Sequence, residues 1–304
     1  MQENYQRTLF HTLFFIFGIY SNSLIKAMTS TLNIDHPMYR LLLPFTFRTT
    51  YINKSLSIAL FCRGGFIERV WGFPYKEIIT ISKAGKEQFK FKQFGKEIYD
   101  KSMENVPNEI FPMKQDCNDF FNVMNEFVSK YIKTYYKTND DLNNDQDIKE
   151  FYNKLAKDLK YDGKFNIDNL INIISNTICF VTGYHEHVGS IFDYVGLNLN
   201  WFDSKLYKLK NDSKLYKLEQ SKIDYTYFAI LNMLISVRNP MLINDFTNNL
   251  LNDVYKSKLI FIYNEWQNNL IKLSEEIEKR NDKKQRRFPF QNFNPKVMEC
   301  SLSI

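Results

Sequence analysis

The chain has 304 residues, a formal net charge of +6 and a pI near 8.9. Apolar residues make up 44% and charged residues 24%, which excludes an intrinsically disordered chain. Only 10 Gly and 8 Pro are present, too few for a turn-rich sandwich or barrel, so the composition favours helices.

The first element is the apolar run from Leu9 to Tyr20 (LFHTLFFIFGIY). It is shorter than the roughly 20 residues that cross a bilayer. With Arg7 ahead of it, it reads either as the apolar part of a signal peptide or as a helix buried on all sides. Asp35-His36-Pro37 stops the next segment, because the residue before a proline avoids the helical region. Short helices are expected over Tyr39 to Phe45 and Ile52 to Cys62, the second broken at Arg63-Gly64-Gly65. Residues 66–115 have a mixed pattern and are expected to form loops and short helices around a possible strand pair.

A long amphipathic helix is predicted from Asn118 to Tyr136. Phe120, Met124, Phe127, Tyr131 and Tyr135 recur on one face at three- and four-residue spacing. Thr138 to Asp147 is expected as a polar loop, followed by a helix ending near Leu159. A buried helix is expected from about Ile167 to His187, and further helices over 222–237, 241–252 and Val254 to Arg280. From Phe288 onward the chain is expected to be extended. DSKLYKLKN at 203–211 is followed directly by DSKLYKLEQ at 212–220. Two copies are too few for a solenoid, so 203–220 reads as a duplicated surface-loop insert in one domain spanning 1–304.

The four cysteines, Cys62, Cys117, Cys179 and Cys300, show no CxxC spacing. That pattern suggests neither a zinc or redox motif nor a disulfide framework. The default setting is reducing and cytoplasmic; secretion or membrane anchoring is the alternative if Leu9 to Tyr20 acts as a signal. Lys279, Arg280, Lys283, Lys284, Arg286 and Arg287 cluster past the last helix. They read as a solvated helix end that suits the dipole, or as a peripheral contact with anionic lipid. The aromatics lie in apolar helix faces and do not alternate with basic residues, so nucleic acid is not an expected partner.

Several segments together resemble the lipoxygenase family. His36-Pro37-Met38-Tyr39-Arg40-Leu41-Leu42-Leu43-Pro44 is similar to its His-Pro-x-Tyr-(Arg/Lys)-Leu-Leu-x-Pro motif. Phe47-Arg48-Thr49-Thr50-Tyr51-Ile52-Asn53 is similar to Phe-Arg-x-Thr-x-x-Ile-Asn. Gly65-Phe66-Ile67-Glu68, Asp193 to Asn200 (DYVGLNLN), Glu276 to Asn281 (EIEKRN) and the final Ser301-Leu302-Ser303-Ile304 follow in the family's order. The resemblance implies a mainly α, multi-helix catalytic domain that is incomplete and has no amino-terminal β-barrel. It also implies non-haem iron, and oxygenation of polyunsaturated fatty acids to hydroperoxides. Leu9 to Tyr20 then corresponds to the family's buried core helix.

The same resemblance locates the iron ligands. Two family histidines, spaced His-x4-His, fall on Leu13 and Gly18, which carry no metal-binding group. His11 lies about 200° around a helix from Leu13, so it does not substitute. Of the remaining ligands, a histidine corresponds to His185, with Tyr184 the alternative register; an asparagine corresponds to Gly189; and the terminal carboxylate belongs to Ile304. Leu56 stands where the family has a small residue shaping oxygen access. One imidazole and one carboxylate fall short of the two-His-one-carboxylate set. The expectation is therefore a catalytically degenerate member. The alternatives are an active dioxygenase completed by His11, His187, Tyr184, Glu186 or a second chain, and an apolar lipid-binding or interaction protein. A partner chain covering an exposed apolar face is also expected, because the resemblance spans only the later part of a lipoxygenase.

Overall fold

The computed structural model describes residues 14–59, 62–65, 68, 74–95, 103–189, 240–250, 254–282, 286 and 289–301. Within them the fold is helical, and the one β pairing is an isolated antiparallel bridge between Met241 and Glu299. A mainly α architecture is what the low glycine and proline content implies.

A π-helical segment, Phe14–Ser21, leads directly into α1 (Asn22–Thr31). Helix α2 (Pro37–Leu42) begins at His36, whose Nδ1 accepts the Met38 N–H at 3.0 Å, with Pro37 in the first helical position. A 3₁₀ turn, Leu43–Thr46, and α3 (Thr49–Ala59) follow. Helix α4 (Tyr75–Gln88) lies within residues 66–115, where the sequence pattern suggests loops and short helices around a possible strand pair. Its Ile78-Ile79-Thr80-Ile81 run is β-branched and mimics a strand. Yet Ile78 and Gly85 fall on one buried face with helical spacing, and tertiary packing overrides local propensity.

The centre is built on α5 (Met113–Tyr135) and α8 (Ile167–Cys179). Phe120, Met124, Phe127 and Tyr131 of α5 are buried. Each such side chain contributes roughly 1.5–3 kcal/mol relative to exposure. Helix α8 is capped by Asn166, which accepts the Asn169 N–H at 2.8 Å. Nearly every residue from Leu170 to Cys179 is buried, as expected of a helix enclosed on all sides. It packs on α5, and α5 packs in turn on the long α10 (Lys256–Asp282). Trp266 of α10 stacks on Phe127 with centroids 4.2 Å apart.

The polar stretch after α5, which reads as loop in the sequence, contains a short helix, α6 (Asn139–Asn143). Thr138 and Asp141 form a reciprocal capping box that starts it. Asp145 then caps α7 (Gln146–Asp158), which packs on α1. In place of the helix expected over 241–252 stand a bridge and a 3₁₀ turn, Thr247–Asn249. Asp245 accepts the Thr247 N–H at 2.7 Å, and Leu242 donates to the Met298 carbonyl at 2.8 Å, so this backbone bonds elsewhere. The 203–220 repeat and the expected helix over 222–237 lie outside the described residues.

Candidate functional site

At Cys179 the α8 backbone changes to a π-helical segment, Phe180–Tyr184, and then to the short α9 (His185–Gly189). π turns inside helices are rare and collect at functional sites. Here two of them, Phe14–Ser21 and Phe180–Tyr184, pack against each other. The family resemblance puts one ligand position, Gly18, on the first of these segments and another, His185, directly after the second.

The contact between them is aromatic. Tyr20 stacks on Phe180 with centroids 4.1 Å apart and planes 14° from parallel. Phe89 closes on Tyr20 edge-on at 5.5 Å, and Phe94 meets Phe180 edge-on at 5.2 Å. Behind them Phe94, Phe120 and Phe293 form a further cluster. Gly183 is required by this packing: a Cβ there would lie 2.8 Å from Phe120 Cε1 and 3.2 Å from Phe293 Cδ1.

Gly18 contributes only backbone to this junction, its carbonyl facing the Asn22 amide at 3.4 Å. Asn53 of α3 donates to Asn22 Oδ1 at 2.7 Å and Ser21 Oγ at 3.1 Å, which ties α3 to the first π segment. Leu56 lies on α3 one turn beyond Asn53. His185 is buried at the start of α9, and its backbone N–H bonds to the Phe180 and Thr182 carbonyls. His187 follows two positions later. Its Nδ1 accepts from Asn292 Nδ2 at 3.1 Å, and its ring stacks on Phe293 at 5.8 Å. Burial pulls the His187 imidazole down to about 4, so it is neutral near pH 7. Gly189 closes α9. His11, Leu13 and Ile304 lie outside the described residues.

Among the described residues no three His, Cys, Asp or Glu side chains come together closely enough to hold a metal ion. The junction presents one imidazole, His185, and a glycine. Among the described residues these groups alone fall short of the three protein ligands that a non-haem iron centre needs.

Two members of the basic cluster, Arg280 and Arg286, turn inward, while Lys283, Lys284 and Arg287 lie outside the described residues. Arg286 is buried and bonds to Asp116 of α5. Arg280 reaches the same carboxylate at 2.8 Å and Asp119 at 2.7 Å. These two guanidiniums are held inside the fold, where buried acids need counter-charge. Lys279 is exposed. Sequence periodicity missed Asp116, Gly183 and Asn292, whose partners are distant in the chain.

A model of the lipoxygenase family matches residues 19–290. The chain belongs to the lipoxygenase family. It is 26% identical over 197 residues to linoleate 9S-lipoxygenase 1 of Phaseolus vulgaris, covering 58% of this chain and 23% of that protein. It is 23% identical over 214 residues to an uncharacterised protein of Acanthamoeba polyphaga mimivirus, covering 64% of this chain and 37% of the other. Solved lipoxygenases share the fold. A calcium-dependent 11R-lipoxygenase matches with a TM-score of 0.73 at 17% identity, over 94% of this chain and 44% of that one. Coral 8R-lipoxygenase matches with a TM-score of 0.70 at 17% identity, over 93% and 45%. The lipoxygenase chain therefore spans less than half the length of the relatives it matches. Helical architecture, family and partial coverage agree with the sequence reading.

Proposed function

We propose that this chain is a lipoxygenase-fold protein that does not carry out the family's iron-dependent dioxygenation, and that its retained property is binding of a fatty acid or similar apolar lipid. The observation that carries this reading is the junction of the two π segments. Where the family resemblance calls for a ligand histidine, Gly18 offers none, and the neighbouring space holds the Tyr20–Phe180 stack. The choice of lipid is supported by a lipoxygenase deletion variant solved with arachidonate, which shares the fold at a TM-score of 0.70 and 15% identity. The family resemblance also puts Leu56, in place of a small residue, at the position that shapes oxygen access.

Tyr51 and Ile58 stand seven residues apart on α3, 74% and 62% exposed, and so share one face. That face supports a cover of further polypeptide, from the same or another chain. Inward pairing of Arg280 and Arg286 removes two of the six cations that a lipid surface could use. Membrane contact is left to Lys279 and its neighbours.

Titration of the purified chain with a fluorescent fatty acid, alongside a conjugated-diene assay on linoleate and arachidonate, tests this function. Saturable binding without diene formation is expected. Diene formation at a rate proportional to protein concentration favours an active dioxygenase completed by other ligands.

A further inference from the structure

We propose that the start of α10 is a lipid-surface contact, in which Val254, Tyr255 and Phe261, flanked by Lys137, Lys256 and Lys258, seat against a bilayer that carries anionic headgroups. Each part of this surface is unfavourable for the chain standing alone in water. Val254 is 92% exposed and Phe261 68%, and Tyr255 is exposed as well. Phe261 lies one turn past Lys258 on the same side of α10, so apolar and cationic groups are neighbours. Val254 sits in the turn just ahead of the helix.

Charge here is placed against the local field. A helix amino-terminus carries partial positive charge and favours acids in its first turn. The first turn of α10 has no acid and holds Lys256 and Lys258. The first acid in the helix is Glu265, and Lys130 pairs with it at 2.7 Å.

A third cation is brought in from α5. Tyr135, the last residue of α5, meets Tyr255 edge-on at 5.2 Å. Just beyond it the Lys137 ammonium donates to the Lys133 carbonyl in the last turn of α5, which anchors it there. Partial desolvation and this neighbouring ammonium hold the Lys258 ammonium below the usual lysine range. Asp141 accepts the backbone N–H groups of Lys137 and Thr138 at 2.9 and 2.8 Å, so its carboxylate is engaged in the α6 cap.

An anionic bilayer surface relieves all of these at once. It takes the exposed apolar side chains out of water and supplies counter-charge to the lysines. A purely acidic polypeptide answers the charge but leaves Val254 and Phe261 in water. The surface lies roughly 35 Å along α10 from Lys279, and so is separate from the basic cluster at the other end of that helix.

Flotation of the full chain with phosphatidylcholine vesicles, with and without about one-third phosphatidylserine, tests the contact. Wild type is expected to float with the anionic vesicles alone, and less so at high salt. Lys258→Gln is expected to weaken partition about fivefold and Phe261→Ser about tenfold, whereas Lys279→Gln leaves it unchanged. Lys258 and Phe261 are exposed, so both variants should keep the fold. The proposal is overturned if wild type does not float with anionic vesicles, if Lys258→Gln and Phe261→Ser float like wild type, or if Lys279→Gln alone abolishes flotation. It is overturned too by poly-glutamate binding as tightly as the vesicles with no effect of Phe261→Ser, which makes the occupant an acidic polypeptide. Self-association lost in Phe261→Ser, without flotation, makes it a second copy of this chain and overturns it as well.

Discussion

Tyr20 and Phe180 lie face to face, 4.1 Å between centroids, at the meeting of two π-helical segments. In the family to which this chain belongs, this region is where the resemblance locates a metal. Here the two segments meet through aromatic side chains, with Phe89 and Phe94 closing on the stack edge-on. Offset or edge-on aromatic contacts of this kind contribute about 0.5–1.5 kcal/mol per pair beyond area burial.

Packing at the junction sets a strict limit on Gly183. A methyl group there would approach Phe120 Cε1 to 2.8 Å, closer than neighbouring atoms tolerate. Gly183→Ala is expected to lower stability by about 1–3 kcal/mol in urea unfolding, as over-packing does. Adding Phe120→Leu should recover part of the loss. An additive double variant would show that the clash is relieved elsewhere.

Acid sensitivity should appear first at His187. Its imidazole is held near 4 by burial, below the usual value near 6.5, so the unfolded chain binds more protons across that interval. Stability is therefore full above about pH 6.5 and falls as pH drops toward 4. The loss is on the order of 2 kcal/mol. Unfolding curves at a series of pH values should show this slope in wild type and a flattened one in His187→Gln.

A second, more acidic slope belongs to Asp145. Burial raises its carboxyl, but bonds from His36 Nε2, Tyr136 Oη and the Ile148 N–H outweigh burial and hold it at about 2. A depressed carboxylate stabilises the fold above its unfolded value near 3.9, and the benefit is lost as pH falls through about 2. Because the group is partly open to solvent, about 1–2 kcal/mol is at stake. Asp145→Asn should be less stable than wild type near neutrality by that amount, and the two curves should converge by about pH 2.

The long helices are legible in the sequence because their apolar faces repeat locally. Phe120, Phe127 and Tyr131 announce α5 without reference to anything outside it. Helix α4 is hidden by a β-branched run whose burial partners lie elsewhere. The α6 cap is present as Thr138 and Asp141, but the acidic stretch around it reads as loop. Arg280 and Arg286 cannot be assigned from the sequence, since their carboxylate partner, Asp116, lies more than 160 residues away. The ligand positions are legible only through the family resemblance. Gly18 lies on one of the two contacting π segments and His185 directly after the other, while Ile304 lies outside the described residues.

The central claim is that this lipoxygenase chain has lost its iron. Elemental analysis of the purified chain, after incubation with ferrous iron under anaerobic conditions and removal of excess, addresses it directly. The expected result is iron far below one atom per chain, unchanged by His185→Ala. One tightly held iron per chain, lost in His185→Ala, would contradict the account.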